Sequence, residues 1–275
     1  MNDRVLHDGA PCDDGFAQSR ALQYGDGVFR TMLWSGGRIA DWDLQMDKLA
    51  ADCAVLSLDC PLPALLRDEI ARIAGADSEA AVKVIVARRP GGRGYRQATS
   101  ASERWVYAFP LAARIADVYR SGARLDFSDV VLSEQPLLAG VKHLNRLDQV
   151  LASRAWPDGI DERLMRDREA HIVCGTRTNL FCVVGRQLLT PPLNRCGVAG
   201  IMRRKILECG PALGLSVAEA KLTDTVLLGA DEVFVCNSLI GLWPVRRLAG
   251  QSWAAPGVHS KALMRVLRHP RISLQ

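Results

Sequence analysis

Lys142 stands in the segment Leu138-Ala139-Gly140-Val141-Lys142-His143-Leu144-Asn145-Arg146-Leu147-Asp148, where an extended run passes into a helical one. Val141 and Leu144 flank it with apolar surface, and partial desolvation lowers an amine's pKa towards the neutral, nucleophilic form used in Schiff bases. A surface lysine in front of a helix fits the same string, so residue type and setting leave both readings open. Asn145 is placed to cap the following helix, with Asp148 three residues on as its box partner. His143 reads as a structural histidine at that helix entrance. The other histidines, His7, His171, His259 and His269, share no spacing with partners.

The elements that must position this lysine follow from periodicity. Residues 43–58 place Met46, Leu49, Ala50, Cys53 and Leu56 at helical spacing after the turn SGGRIADW, and Leu62, Leu65, Leu66, Ile70 and Ile73 predict a second helix over 62–74. The runs VKVIVAR (82–88) and RWVYAFP (104–110) read as strands around the loop RPGGRGYRQATSASE. From about residue 122 the chain changes to short strand-like runs (ARLDFSDVVLS, ERLMRD, NLFCVV, QLLT, DEVFVC), with helices near 145–155, 201–213 and 257–268. This is a second α/β unit, and residues 111–122 connect the two.

Composition narrows the function classes. The chain of 275 residues is 48% hydrophobic and 24% charged, enough apolar surface for a sizeable core, which excludes disordered and fibrous proteins. A net charge of +5 is spread along the chain, too diffuse for a nucleic-acid footprint but suited to an anionic small substrate. No stretch reaches the roughly 18–20 apolar residues of a membrane span, and MNDRVLHDGAPCDD lacks a signal peptide's apolar core, so a cytoplasmic protein without membrane contact is expected. The eight cysteines form no CxxC pair and have no neighbouring His at ligand spacing. No metal site is expected, and the cysteines read as buried reduced thiols.

The string GVKHLNRLDQVLA closely resembles the lysine segment of 4-amino-4-deoxychorismate lyases, members of the fold-type IV pyridoxal-phosphate enzymes that include branched-chain and D-amino-acid aminotransferases. YGDGVFRT (24–31), ARRPGGRGY (87–95), TNLF (178–181), GVAGIMR (197–203) and DEVFVCNSLIGLWPV (231–245) follow in the family's order and approximate spacing, so the resemblance covers nearly the whole chain. Within it, KHLNRL and GGRGY look like the lyase branch. The resemblance implies an α/β (α+β) two-domain fold of type IV. It places an N-terminal domain over 1–115 and a C-terminal domain over 116–275 that carries the lysine, with the cofactor between the domains. It further implies a homodimer that forms 4-aminobenzoate and pyruvate for folate biosynthesis, with aminodeoxychorismate synthase as a functional partner. Two rivals stay open: a D- or branched-chain amino-acid aminotransferase, and a non-catalytic pseudoenzyme of the same fold.

Carried over position by position, the resemblance gives Lys142 the internal aldimine with pyridoxal phosphate and then the acid/base role. The amides of Ile201 and Met202, behind the glycine-led helix start, take the phosphate. Asn237, Ser238 and Leu239 match the second phosphate-binding turn, with hydroxyl and backbone donors. Taken alone, these are an ordinary helix start and a capped strand end. The substrate's two carboxylates call for cations, and Arg88 and Arg93 of the ARRPGGRGY loop are the candidates, with solvated loop arginines as the alternative. Arg30 and Thr31 point to opposite faces of a strand, and Thr31 is taken as the lining residue.

Two positions depart from the family pattern. Where the family has an Arg in an H-x-x-R segment of the first helix, this chain reads Gln45-Met46-Asp47-Lys48; Lys48 keeps the charge but lacks the planar fork. A solvated Lys48 paired with Asp52 one turn on is the alternative. Five residues before Asn179, where the family presents a Glu that keeps the pyridine nitrogen protonated, stands Cys174. A neutral thiol cannot stabilise a pyridinium, so transamination should suffer more than a lyase reaction driven by aromatisation. Glu169 lies too far back, in the expected turn DREAH, to replace it.

Overall fold

The structure, a computed structural model, describes residues 5–11, 18–75, 79–91, 94–96, 98–111 and 116–272. The chain divides into two compact units, Met1–Ala112 with Val141–Asn145, and Ala113–Gly140 with Arg146–Gln275.

The first unit holds β1 (Val5–His7), β2 (Ala10–Pro11), α1 (Arg20–Tyr24), β3 (Gly27–Ser35), β4 (Arg38–Ile39), α2 (Trp42–Val55), α3 (Pro63–Ala74), β5 (Glu79–Arg88) and β6 (Ser102–Pro110). Its sheet runs β2-β1-β6-β5-β3-β4. Along β5 the side chains alternate. Val82, Val84 and Val86 join Leu49 of α2 and Leu66 and Ile70 of α3 in one core, while Ile85 and Ala87 pack with Trp105 on the opposite face. Pro63 at the first position of α3 supplies a preset φ where no N–H is needed.

The second unit holds α4 (Ala116–Ser121), β7 (Ala123–Val131), α5 (Leu147–Ala152), β8 (Glu162–Arg166), β9 (Ile172–Gly175), β10 (Asn179–Val184), β11 (Gln187–Thr190), α6 (Ile201–Cys209), β12 (Ser216–Glu219), α7 (Asp224–Leu228), β13 (Glu232–Asn237), β14 (Gly241–Leu248), β15 (Gln251–Ser252) and α8 (Val258–Leu267). The strand order is β12-β11-β10-β13-β14-β7-β8-β9, and β9 pairs back onto β10 through Cys174 and Asn179. Phe181 and Phe234, paired across β10 and β13, stack at 5.4 Å in its core.

Three expectations change. Lys142 was assigned to the later domain, but Val141–Asn145 belongs to the first unit, because its backbone pairs with β3. Asn145 does not cap α5; Arg146 holds that position without a side-chain bond, Asp148 accepts from Ser133, and Asn145 packs on Gly25, where a Cβ would lie 2.4 Å from its Oδ1. Finally, not every cysteine is buried, since Cys60 is exposed. Part of the expected connection, residues 112–115, lies outside the described residues.

Candidate active site

Backbone pairing fixes Lys142 in the first unit. Its carbonyl accepts the N–H of Phe29 at 2.9 Å, and Leu144 N–H donates to Gly27 O at 3.0 Å. Its own N–H donates to Asp52 Oδ2 at 3.4 Å. With the chain tied to β3 and α2, the half-buried side chain sets Nζ 4.5 Å from the centroid of the Phe29 ring. Lys83 of β5 places its Nζ 5.0 Å from the same centroid, and burial lowers its pKa. Thr31 lies in register with Lys83, so it shares this face with Phe29.

Arg30 turns to the opposite face, towards α2. Nε and Nη2 donate to Gln45 Oε1 at 3.1 and 2.9 Å, and Nη1 lies 3.8 Å from Asp52 Oδ2 with no hydrogen-bond acceptor. Burial brings its pKa down to about 10, against the opposing pull of Asp52. Lys48 forms an ion pair with Asp52 one turn along α2. Burial lowers the Lys48 pKa, and the Asp52 carboxylate works against that shift. Asp52, 1% exposed, therefore sits between two cations and below the Lys142 amide. With the carboxylate ionised, the cluster carries one excess positive charge.

Arg88 is a correction to the expected substrate cations. It is 1% exposed and its donors are taken up internally: Nε by Asp26 Oδ2 at 3.0 Å, Nη1 by Ser57 O and Thr99 O at 3.1 and 2.7 Å, and Nη2 by Leu56 O at 2.5 Å. It ties β5 to the loop after α2 and has no donor left for a ligand. Arg88→Lys is expected to lower the unfolding free energy by about 1–3 kcal/mol, since an ammonium lacks the fork that serves these separated acceptors. Denaturant titration checks this, and unchanged stability contradicts the clamp. Arg93 lies outside the described residues.

In the second unit, α6 begins at Gly200 with no side-chain cap, which leaves the Ile201 and Met202 amides at a positive helix end. A glycine is needed there because a Cβ would fall 2.4 Å from Asn179 Oδ1. Asn179 Nδ2 donates to Val198 O at 2.8 Å, holding the loop that leads into the helix. Glu162, fully buried, accepts from Thr176 N and Oγ1 and from Thr178 Oγ1, and so pins the turn that leads into Asn179.

The turn at 237–240 is more self-contained than its sequence implied. Asn237 Oδ1 accepts the amides of Leu239 and Ile240 at 2.8 and 2.9 Å, so the Leu239 N–H is already engaged, which corrects its assignment as a ligand donor. One N–H of Asn237 Nδ2 donates to Arg177 O. Among the described residues, no hydrogen bond engages the Ser238 hydroxyl. Cys174 is 6% exposed, among Leu132, Met165, Val173 and Cys196, in direct register with Asn179. Glu169 is exposed and bound by Arg195 and Lys221, whose hydrogen bonds bring its pKa down to about 2.

Lys83 is the residue that sequence reasoning missed. Its signal was a single charge inside the apolar run VKVIVAR. The pattern marks it as exceptional, but only pairing with β3 shows that it shares a ring with Lys142.

Residues 27–248 match the family described as amino-transferase class IV. The chain belongs to that family. Over 229 residues it is 36% identical to an aminodeoxychorismate lyase of Vibrio harveyi, covering 82% of this chain and 84% of that one. The crystal structure of 4-amino-4-deoxychorismate lyase from Pseudomonas aeruginosa superposes with a TM-score of 0.89 at 38% identity, over 96% of this chain and 98% of the other. The PLP-bound form of a hypothetical aminotransferase from Mycobacterium tuberculosis, 20% identical, shares the fold with a TM-score of 0.79 over 96% of each chain.

The residues of this class IV aminotransferase family member fit pyridoxal phosphate at most points. Within the second unit the uncapped α6 amides suit a phosphate; within the first, the orphaned Arg30 Nη1 marks a buried group short of an acceptor, and Lys142 offers an amine. Cys174, whose thiol is a weak hydrogen-bond group, does not fit the demand for a residue that keeps a pyridine nitrogen protonated.

Proposed function

We propose that this chain is a pyridoxal-phosphate-dependent aminodeoxychorismate lyase that splits 4-amino-4-deoxychorismate into 4-aminobenzoate and pyruvate. The observation that carries this reading is the placement of Lys142 and Lys83 against one ring: a proton-carrying amine beside a fixed cation suits a substrate with two carboxylates. Pyridoxal phosphate, when bound, supplies the electron sink. Ile201 and Met202 hold the phosphate through their amides, and the Ser238 hydroxyl adds a donor. Arg30 and Lys48 contribute the positive excess around Asp52.

Lys142 Nζ takes the proton from the amine-bearing ring carbon and protonates the departing enolpyruvyl group, so one amine serves as base and then acid. Its backbone bonds to Phe29 and Asp52 hold that amine in place between the two transfers. Lys83 orients a substrate carboxylate, with Thr31 beside it. Cys174 favours the lyase over an aminotransferase, because loss of pyruvate gains aromatic stabilisation and needs a weaker sink.

Lys83→Gln is expected to raise KM by about 10- to 100-fold with a smaller change in kcat, the loss of a charge-assisted contact worth roughly 1.5–3 kcal/mol. Burial lowers the Lys83 pKa, so in the wild type KM should rise on the alkaline side below the ordinary lysine range, and that limb should vanish in the variant. Equal KM values in both proteins contradict the role.

We further place the enzyme in the cytoplasm as a homodimer that supplies folate synthesis. No helix among the described residues is long and apolar enough to cross a membrane. The exposed apolar side chains Leu137, Leu147 and Val150 favour an interface between copies. The reading is tested against its rival by adding D-alanine or L-leucine alone to the cofactor-loaded protein. The lyase reading expects the cofactor spectrum to stay unchanged, and full conversion to the pyridoxamine form would favour the aminotransferase.

A further inference from the structure

Between Val245 and Leu248 of β14 lie two arginines, and both flanking residues are core. Strict alternation cannot bury side chains three apart, so the strand bulges: Val245 pairs with Ala123, Leu248 with Leu125, and Arg247 falls directly opposite Arg124 of the parallel neighbour β7. Like charges in register repel each other. Among the described residues, neither guanidinium has an ion pair or a hydrogen bond to another side chain. Arg124 is half-buried, its Nη1 lying where a Cβ on Gly159 would come within 2.8 Å, so that glycine (φ 70°) leaves room for the guanidinium. In front of the pair opens a cleft of about 210 Å³, bordered by Ile160, by Asp126 and by the β14–β15 turn at Ala249 and Gly250.

We propose that Arg124 and Arg247 form a binding site for the phosphate group of a small molecule, separate from the residues assigned to the cofactor. Two guanidiniums side by side match one dianion in charge, and each fork matches two of its oxygens. The cleft volume, several waters' worth, admits a phosphate with a short organic tail. Ile160 and Ala249 offer that tail an apolar wall. Asp126, on the same face of β7 as Arg124 and 4.0 Å from Arg163 Nε, sets the polarity: it repels a second anionic group and accepts from a hydroxyl or amino group on the ligand.

The test is isothermal titration of inorganic phosphate into the pyridoxal-phosphate-saturated enzyme at fixed ionic strength, with acetate as a second arm. The expected result is one saturable phosphate site with a dissociation constant in the low-millimolar range and much weaker acetate binding. Arg124→Gln combined with Arg247→Gln should weaken phosphate binding at least tenfold, and Asp126→Asn should tighten it severalfold. Arg247 is exposed, so Arg247→Gln alone keeps the fold and should still cost about threefold. Unsaturable phosphate binding in the wild type, or equal affinity in the arginine variants, overturns the site. Acetate binding as tightly as phosphate overturns the assignment to a phosphate.

Discussion

Lys142→Ala should abolish pyruvate release while leaving the protein folded. The side chain is half-buried, and three of the ties between this segment and its neighbours run through the backbone: the Lys142 carbonyl to Phe29, the Lys142 amide to Asp52, and Leu144 to Gly27. An alanine keeps all three. In the proposed mechanism Lys142 is both the proton carrier and the amine that would attach the cofactor, so turnover should fall by at least about 10⁴-fold, more than a single general base contributes. Borohydride reduction of the cofactor-loaded wild type should fix the cofactor to the peptide containing Lys142, and the variant should retain none. Unaltered turnover, or a cofactor fixed elsewhere, contradicts the assignment. Far-UV circular dichroism and a melting temperature close to the wild type separate this loss from misfolding.

Asp52→Ala should instead act mainly on stability. Asp52 is the carboxylate facing both Arg30 and Lys48, and it is 1% exposed. Removing it leaves the buried Arg30 and the half-buried Lys48 without their shared carboxylate and takes the acceptor from the Lys142 amide. Breaking a buried pair from one side costs about 3–5 kcal/mol, on the order of 10 °C in Tm for a chain of this size. Asp52→Asn, which keeps an acceptor, should lose less. Denaturant unfolding measures both, and a variant as stable as the wild type would mean that the cluster is not the junction between α2 and the lysine segment.

The two variants also show what the sequence made legible. Helices α2 and α3 and strands β5, β6, β10 and β13 follow from local periodicity, because the rule that buries every third or fourth residue, or every second, is written within each segment. Lys142, the α6 start and Cys174 were singled out through a family resemblance carried by strings that are local too. Contacts between distant segments were not legible. Asp52 meets a lysine segment 90 residues away, and Arg88 is taken by Asp26, 62 residues away, and by three carbonyls that no side-chain pattern announces. Arg88 therefore read as a loop cation and proved to be a clamp. The Asn145 cap failed for the same reason: its side chain fits the chain at Gly25 rather than the helix beside it. Lys48 was read either as a phosphate grip or as a partner of Asp52, and its ion pair realises the second while leaving the cluster net positive for the first.

The chemistry is tested by product analysis with 4-amino-4-deoxychorismate as substrate, pyridoxal phosphate present and Lys142→Ala in parallel. The wild type should form 4-aminobenzoate and pyruvate in equal amounts, and the variant neither. If the well-folded, cofactor-loaded wild type forms neither product, the lyase assignment is contradicted; if the variant forms both at the wild-type rate, the role of Lys142 is.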